Sequence, residues 1–281
     1  MNYTLICPHA VPAVPALSRK RPLVLAPFLG RTVLEHALAG LAANGAKVVR
    51  LLAEDRVPEI QAVVGAGQAW GLQVIFLSPR EGAEILGREA LPGESVLTLD
   101  HLPQAPERPL WDSYPGWYEA QLALLPAFAA QRVGMREVTP GVFADLRSQI
   151  AGDASLVAPC WIGSGVFVGS QAVVGPGSII EDGSYLDSGA EIVQSIVGPQ
   201  TYVGSVTEIR GSFAWGSELL HLESGSLAQV TDRFLLSEMR VRSGFAAGLA
   251  GIIRGIGNRG TAPDALANPP GLARAGGRFL L

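Results

Sequence analysis

The clearest pattern in this chain is an aliphatic residue at every sixth position from Ile150 onward. One step of five residues, from Ile192 to Val197, interrupts a series of twelve positions. A six-residue period cannot keep apolar residues on one helix face, because each helical residue turns by about 100°. The period predicts short strands joined by corners, with the aliphatic residue facing inward. The positions are Ile150, Leu156, Ile162, Val168, Val174, Ile180, Leu186, Ile192, Val197, Val203, Ile209 and Trp215.

Glycine follows six of these positions, and most hexads carry a small residue four positions after the aliphatic one. This pattern resembles the hexapeptide repeat [LIV]-G-x-x-[STAV]-x, whose proteins form a left-handed parallel β-helix with three hexads in each coil. The resemblance implies about four coils over Ile150–Trp215. It also implies that equivalent hexads stack in columns, one formed by Ile150, Val168 and Leu186 and the next by Leu156, Val174 and Ile192.

The part before the repeat alternates apolar strands with helices, which predicts a parallel sheet covered by helices on both faces. Thr32–Glu35 is a capping box that opens the first helix. Ligands of such sheets lie at the carboxyl ends of strands, where Asp100 falls. The predicted strands are Tyr3–Cys7, Lys47–Ala53, Gln73–Leu77 and Ser95–Leu99, and the predicted helices are Thr32–Asn44, Val57–Val64 and Gly82–Glu89.

Three segments of this part resemble the sugar-nucleotide pyrophosphorylases, namely Arg21–His36, Val96–Asp100 and Trp111–Trp117. The resemblance implies a sugar phosphate or nucleotide sugar as ligand and phosphate contacts by Lys20 and Arg21. It implies a metal ligand at Asp100, with Mg²⁺ as cofactor if nucleotidyl transfer is retained. His36, which ends the first segment, is expected to pack or to cap.

The segment that corresponds to the family's glycine-rich phosphate loop is Pro8–Ser18. It contains no glycine and three prolines, which lack an N–H. Backbone N–H groups therefore cannot cradle phosphates as they do in active members. The α/β part also ends near residue 105, whereas full members continue much further. We expect nucleotidyl transfer to be weakened or lost.

The chain is therefore expected to have a shortened nucleotidyltransferase-like (Rossmann-like) α/β domain followed by a left-handed β-helix. The predicted boundaries are 1–105 for the α/β domain, 106–145 for a linker with a helix over about Tyr118–Gln131, 146–238 for the β-helix and 239–281 for a basic tail. The main functional hypothesis is a pyrophosphorylase-like protein of nucleotide-sugar or surface-polysaccharide metabolism.

Two alternatives stay open. One is a hexapeptide-repeat acyltransferase that uses acyl-CoA with His221 as general base, oriented by a nearby carboxylate. A buried or capping role for His221 is the competing interpretation. The other is a scaffold that binds a sugar nucleotide without catalysis. Leu222–Leu236 is expected to close the β-helix as a strand pair.

Charge is unevenly distributed, because residues 239–281 carry six arginines and one acid, whereas the whole chain has a formal net charge of −4. This tail, with an apolar stretch at Phe245–Arg254, is a candidate contact for an anionic membrane surface or a glycosyltransferase. No nucleic-acid partner is expected. The lack of a signal peptide or an 18-residue apolar window predicts a cytoplasmic protein, and Cys7 and Cys160 are expected to be buried thiols.

The flat sides of the predicted β-helix are expected to mediate homo-oligomerisation, because aromatic and aliphatic residues fall at positions outside the inward columns. These residues are Val166, Phe167, Tyr185, Tyr202 and Phe213.

Overall fold

The computed structural model describes residues 2–87 and 94–239, which belong to one compact unit, Met1–Arg240. The helices are α1 (Val33–Ala43), α2 (Val57–Val64), α3 (Pro79–Leu86) and α4 (Tyr114–Gln131). The strands before α4 are β1 (Asn2–Ile6), β2 (Pro27–Phe28), β3 (Arg31–Thr32), β4 (Val48–Leu52), β5 (Gln73–Phe76) and β6 (Glu94–Thr98).

The strands after α4 are short, as a repeat of six residues with corners requires. They are β7 (Met135–Thr139), β8 (Val142–Asp145), β9 (Gln149–Ile150), β10 (Ser155–Leu156), β11 (Cys160–Ile162), β12 (Phe167–Val168), β13 (Val173–Val174), β14 (Ser178–Ile180), β15 (Tyr185–Leu186), β16 (Glu191–Val193), β17 (Ile196–Val197), β18 (Thr201–Val203), β19 (Glu208–Arg210), β20 (Ser212–Trp215), β21 (Glu218–His221), β22 (Leu227–Gln229) and β23 (Leu236–Glu238).

The α/β region contains a parallel sheet in the order β5-β4-β1-β6. Leu5 of β1 lies opposite Leu51 of β4 and Leu97 of β6. Along the chain, β4 and β5 are added on one side of β1, and β6 is then added on its other side. The point where the strand order changes direction, the switch point of the sheet, therefore lies between β1 and β6. The predicted parallel sheet is confirmed. The more specific likeness to nucleotidyltransferases stays a prediction.

Three of the four helices, α1, α3 and α4, begin at a side-chain cap, whereas α2 begins after Arg56 without one. Thr32 caps α1 through a complete capping box with Glu35, as predicted. The predicted start of α3 at Gly82 is wrong, because Ser78 and Glu81 form a second capping box and the helix begins at Pro79. The predicted end at Glu89 lies outside the described residues. The linker helix begins at Tyr114, since Ser113 caps it.

Register confirms both predicted columns of the β-helix. Val168 pairs with Ile150 and Leu186, and Val174 pairs with Leu156 and Ile192. Strands on the third side stack in the order β8, β11, β14, β17 and β20. The four from β11 to β20 correspond to the four coils expected, and β8 adds one strand before them. The left-handed sense stays a prediction of the resemblance.

Two details of the repeat are corrected at its ends. The first strand of the coils is β8, so the parallel stacking begins at Val142 and not at residue 146 or 150. The last column position is Ala214, which pairs with Val197 and is fully buried in the β-helix interior. Trp215 instead packs with the apolar cluster of the α/β region. A second five-residue step, from Ile209 to Ala214, explains the shift.

One side of the β-helix faces the α/β region and α4. The outward side chains of β11, β14, β17 and β20 belong to the same apolar cluster as the α/β core: Trp161, Ile179, Ile196 and Phe213. The ring of Phe213 lies 5.1 Å from that of Trp117 on α4. Phe213 is therefore buried against the α/β region, while Val166 is buried in the interior of the β-helix, so these two of the five residues do not face outward.

A second side of the β-helix carries a row of half-buried aromatic rings. Phe167 and Tyr185 stack at 4.4 Å between centroids, and Tyr185 and Tyr202 at 5.7 Å. These three residues are the part of the predicted oligomer surface that stays accessible to a partner.

The last coil is covered by antiparallel strands. β20, β21 and β22 form consecutive antiparallel pairs, and β23 pairs antiparallel with β18. Antiparallel strands do close the β-helix, but the expected pair within Leu222–Leu236 is wrong in its bounds, because β21 ends at His221 and only β22 lies wholly inside that segment. The basic tail and its Phe245–Arg254 stretch lie outside the described residues.

Both cysteines are buried free thiols, as expected, and burial raises the pKa of each to about 12. Within the part of the chain that the structure describes, no helix combines the length and the hydropathy that crossing a bilayer requires.

Candidate functional site

A cleft of about 170 Å³ lies where the α/β region meets the β-helix. Its lining combines charged, hydroxyl and aromatic side chains from chain segments far apart in sequence. We call it the junction cleft, and its main lining residues are Arg21, Arg31, Thr32, Glu181, Asp182 and Trp215.

The hairpin of β2 and β3 shapes one wall of the junction cleft. Its turn consists of Leu29 and Gly30, both with positive φ, at 50° and 78°. A β-carbon on Gly30 would lie 1.3 Å from Nη1 of Arg132, so glycine is required here by both conformation and space. The hairpin leads directly into the capping box of α1, which fixes Arg31 and Thr32 at the rim of the cleft.

Glu181 is the most unusual residue of the cleft. It follows Ile180, at the repeat position that glycine occupies in the preceding and following coils as Gly163 and Gly198. Its side chain is 1% exposed, and Oε2 accepts a hydrogen bond of 2.6 Å from the Gly30 N–H. Oε1 has no hydrogen-bond partner among the described residues.

The carboxyl group of Glu181 holds its proton much more strongly than an exposed glutamate. Burial raises its pKa to about 8, and the negative charge of Asp182 adds to the effect. The hydrogen bond from Gly30, the neighbouring backbone of Leu29 and the charge of Arg132 act in the opposite direction without reversing it. At neutral pH the residue is therefore mainly a neutral acid.

Arg132, the residue after α4, connects three parts of the fold. Its Nη2 donates to both carboxylate oxygens of Asp182, at 2.7 and 2.6 Å, and its Nη1 donates to the carbonyl of Leu29 at 3.2 Å. Its Nε lies 3.9 Å from the buried carboxylate of Asp145. Asp182 is thereby neutralised, and the cleft wall is held to the β-helix by hydrogen bonds assisted by charge.

Asp145 also accepts hydrogen bonds from Arg147. Burial alone would raise the pKa of Asp145, but these bonds and the charges of Arg147 and Arg132 hold it below its usual range. Asp145 therefore stays ionised beside Arg132, which fixes the position of the guanidinium.

Arg21 and Arg31 are exposed and line the cleft without an acidic partner. Over residues 2–87 and 94–239, neither guanidinium forms a salt bridge, although Arg21 lies 6.0 Å from the ring centroid of Trp215. With Asp182 paired to Arg132 and Glu181 neutral, Arg21 and Arg31 face the single carboxylate of Glu35 in the lining, which leaves an excess of positive charge. The cleft is chemically suited to an anion.

Lys20, predicted beside Arg21 as a phosphate contact, points elsewhere. Its ammonium donates to the carbonyl of Trp215, lies 5.2 Å from that ring's centroid and lies 3.9 Å from Glu218. Burial lowers its pKa, while Glu218 and Glu238 oppose the shift. The structure therefore brings Arg21 to the cleft and uses Lys20 to hold Trp215. Both phosphate roles stay predictions.

Asp100 lies away from the junction cleft, just beyond β6 at the switch point of the sheet. It lines a separate pocket with Thr98 and His101, and its Oδ1 lies 3.0 Å from Nδ1 of His101. The described residues contain no group of three or more side chains able to hold a metal. One carboxylate beside an imidazole does not fit a Mg²⁺ site that this chain could build by itself. The metal role of Asp100 stays a prediction tied to nucleotidyl transfer.

Pro8–Ser18, the counterpart of a phosphate loop, is folded into the core. It ends in a 3₁₀ helix, Pro15–Ser18, and buries Val14 and Leu17. The backbone N–H of Ala16 donates to the hydroxyl of Tyr114, and those of Val14 and Leu17 donate to carbonyls within the segment. These N–H groups are therefore not available to a nucleotide.

His221 lies at the end of β21 and is exposed, so the buried interpretation is wrong, while its ring does bond the backbone of the turn that follows. Its partner is Ser224, whose backbone N–H donates to Nδ1 at 3.3 Å. In the neutral ring the proton then lies on Nε2. Among the described residues no carboxylate forms a salt bridge with His221, so the expected orienting acid is replaced by a serine.

His36 packs as expected. Its ring stacks on Phe128 at 4.2 Å, and Nε2 lies 2.7 Å from the carbonyl of Phe28. Burial lowers its pKa to about 4, which keeps the ring neutral.

Sequence reasoning missed Glu181, Asp182 and Arg132. A signal was present for Glu181, because an acid at a repeat position held by glycine in neighbouring coils is out of pattern. No local signal existed for Arg132, since its role depends on how the end of α4 meets the hairpin.

No protein-family model and no curated protein sequence matches the chain. Among solved structures, the chain is similar to a point mutant of perosamine N-acetyltransferase from Caulobacter crescentus in complex with CoA and GDP-perosamine. Identity is 12%, the match covers 77% of this chain and 94% of the other, and the TM-score is 0.18. That protein falls in the class of the acyltransferase alternative, but a match of this quality assigns neither ligand nor activity here.

Proposed function

We propose that this chain binds a phosphorylated sugar, either a sugar phosphate or a nucleotide sugar, in the junction cleft and does not catalyse nucleotidyl transfer. The observation that carries the proposal is the pair of guanidinium groups, Arg21 and Arg31, that face the cleft without acidic partners. Arginine binds phosphate oxygens in bidentate fashion, and a water-excluding wall strengthens the interaction. The ring of Trp215 supplies an apolar wall for the sugar.

The folded state of Pro8–Ser18 supports the loss of nucleotidyl transfer. That reaction needs charge neutralisation at several phosphate oxygens at once. The three prolines of the segment have no backbone donor, and the N–H groups of Val14, Ala16 and Leu17 are bonded within the protein. Purified protein with Mg²⁺, a sugar 1-phosphate and each nucleoside triphosphate is expected to release no pyrophosphate.

Binding is tested by isothermal titration calorimetry with glucose 1-phosphate, UDP-glucose, ATP and acetyl-CoA. Arg31→Ala and Arg21→Ala should each weaken binding of the phosphorylated sugar at least tenfold, because each removes a charged hydrogen-bond donor. Arg80→Ala is the matched control, since that side chain is 90% exposed and interacts with Glu84 on α3.

Saturable binding of a phosphorylated sugar that both cleft variants weaken and the control does not would support the proposal. The proposal is wrong if none of these compounds binds, or if the cleft variants bind as the wild type does.

The acyltransferase alternative is the second candidate, and the exposed imidazole of His221, held at Nδ1 by Ser224, is the observation that favours it. To accept a proton at Nε2, the ring would need its proton on Nδ1 instead. An assay with acetyl-CoA and amino sugars or their nucleotides tests this candidate. Acetyl transfer that His221→Ala abolishes would replace the main proposal.

A further inference from the structure

We propose that the junction cleft selects a phosphate monoester of a small sugar, with one phosphate oxygen accepting a hydrogen bond from the carboxylic acid of Glu181 while Arg21 and Arg31 hold the others. This inference rests on the proposed function and names the ligand class and the pH dependence of its site.

Cleft size favours the smaller ligand. Pockets for drug-sized molecules have volumes of about 300 to 1,000 Å³. The junction cleft, at about 170 Å³, is below this range. A nucleotide sugar has a base, a ribose and a second sugar to place, whereas a sugar monophosphate has one ring and one phosphate. The volume is therefore matched to the monoester.

The hydrogen-bonding state of Glu181 favours a phosphate oxygen as its partner. Oε2 already accepts the N–H of Gly30, so the proton of the neutral acid belongs on Oε1. Oε1 is the oxygen that lacks a partner among the described residues, although the side chain lines the cleft. A buried donor without an acceptor is costly, and an anionic oxygen is the acceptor that removes the cost most effectively.

The charges around Glu181 come from each element packed against it. Asp182 follows it in the same coil and is paired with Arg132 from the end of α4, which Asp145 of β8 also approaches. The other charged residues of the lining are Arg31 from the hairpin, Glu35 from α1 and Arg21, two residues before the 3₁₀ helix Leu23–Leu25.

Glu35 is held by Thr32 in the capping box at the start of α1. Ionisation of Glu181 would remove the proton that it donates to the phosphate and place a negative charge beside the phosphate oxygen. Because the pKa of Glu181 is about 8, affinity should fall across that value as pH rises.

The decisive experiment is calorimetry of glucose 1-phosphate with the full-length chain at pH 7.5 and 9.5. The phosphate is already a dianion at both values, since its second pKa is about 6. Wild-type affinity should fall about tenfold or more between them, because most Glu181 side chains then lose the proton. Inorganic phosphate should bind more weakly than glucose 1-phosphate, and UDP-glucose should bind more weakly than both.

The variant Glu181→Gln shows whether ionisation of Glu181 causes the fall in affinity between pH 7.5 and 9.5. Its amide keeps a donor for the phosphate and cannot ionise, so its affinity should be the same at the two pH values. Lys20, whose pKa is also lowered, is present in both proteins. A fall that persists in Glu181→Gln would assign the pH effect to a group other than Glu181 and overturn the inference.

The affinity of the wild type for glucose 1-phosphate at the two pH values needs no variant, so this measurement stays informative if Glu181→Gln does not fold. Constant wild-type affinity between pH 7.5 and 9.5 overturns the role of Glu181. Binding of UDP-glucose without binding of glucose 1-phosphate overturns the monoester while leaving the proposed function intact. Absence of binding by every phosphorylated sugar at both pH values overturns both.

Discussion

The β-helix and the α/β region bury their apolar residues in two different ways. Inside the β-helix, each column repeats one small set of aliphatic side chains, such as Ile162, Ile180 and Val197. The α/β core has no such period and extends across the outer side of the β-helix to Trp161 and Phe213. The coils are thus self-sufficient inside, whereas the α/β region depends on them for part of its core.

This difference explains why the polar residues Glu181, Asp182 and Arg132 lie where the two regions meet. A coil interior has no space for a charge, but the seam between a regular solenoid and an irregular core does. Glu181 leaves the glycine pattern of the repeat at this seam, and Arg132 reaches it from α4. Each of the four predictions below tests one side of the comparison.

The largest effect is expected inside the coils. Ile162→Asp should lower the free energy of unfolding by several kcal/mol, because it places an unpaired carboxylate in a fully buried column. Val206→Asp is the control, since Val206 is 82% exposed and has a positive φ of 54°, which Asp tolerates better than Val. Urea unfolding measures both. A stable Ile162→Asp protein would show that the column assignment is wrong.

The second largest effect is expected on the side of the β-helix that packs against the α/β region. Phe213→Ala should cost about 3 to 5 kcal/mol, the usual loss for a buried phenylalanine. It should also keep a single cooperative transition, because the ring is part of the α/β core. Phe234→Ala, at an 84% exposed residue, should change stability by about 0.5 kcal/mol or less. Separate unfolding of the β-helix and the α/β region in the wild type would break the comparison.

The seam itself gives a pH-dependent effect. Burial raises the pKa of Glu181 to about 8, well above the ordinary value of about 4.3 for a glutamate, so its contribution to stability is complete below the ordinary value and is lost as pH rises toward 8. Over that window wild-type stability should decline by up to about 1.4 kcal/mol per pH unit relative to Glu181→Gln. Parallel stability curves for the two proteins would mean that Glu181 ionises normally.

The smallest effect on folding is expected for the row of half-buried rings formed by Phe167, Tyr185 and Tyr202. Tyr185→Arg should leave the melting temperature within a few degrees of wild type, because the ring is half-buried on the outer side of the coils. We expect the wild type to be a homo-oligomer through this row and the variant to dissociate. Light scattering at micromolar concentration measures both, and a monomeric wild type would contradict the expectation.

The sequence predicts the repeat more accurately than it predicts the site. Ile150, Val168 and Leu186 could be placed in one column because a solenoid repeats the same local environment in every coil. The shift from Trp215 to Ala214 escaped because a second shortened step broke the period. Capping residues gave the start of α1, while the equally clear box at Ser78 was overlooked.

The candidate site could be read from the sequence only in part. Arg21 was predicted at a phosphate site through a resemblance, and it does line the junction cleft. The cleft also needs Glu181 and Arg132, which are 160 and 111 positions away from Arg21. Their meeting depends on how the hairpin at Gly30 packs against one coil, a tertiary contact that carries no local periodicity.

The central claim is that a phosphorylated sugar binds at the seam and not at the carboxyl ends of the sheet strands. A crystal structure of the protein with glucose 1-phosphate tests this most directly. We expect electron density for the phosphate within hydrogen-bond distance of Arg21, Arg31 and Oε1 of Glu181. Ligand density beside Asp100 and Thr98, with the junction cleft empty, would contradict it.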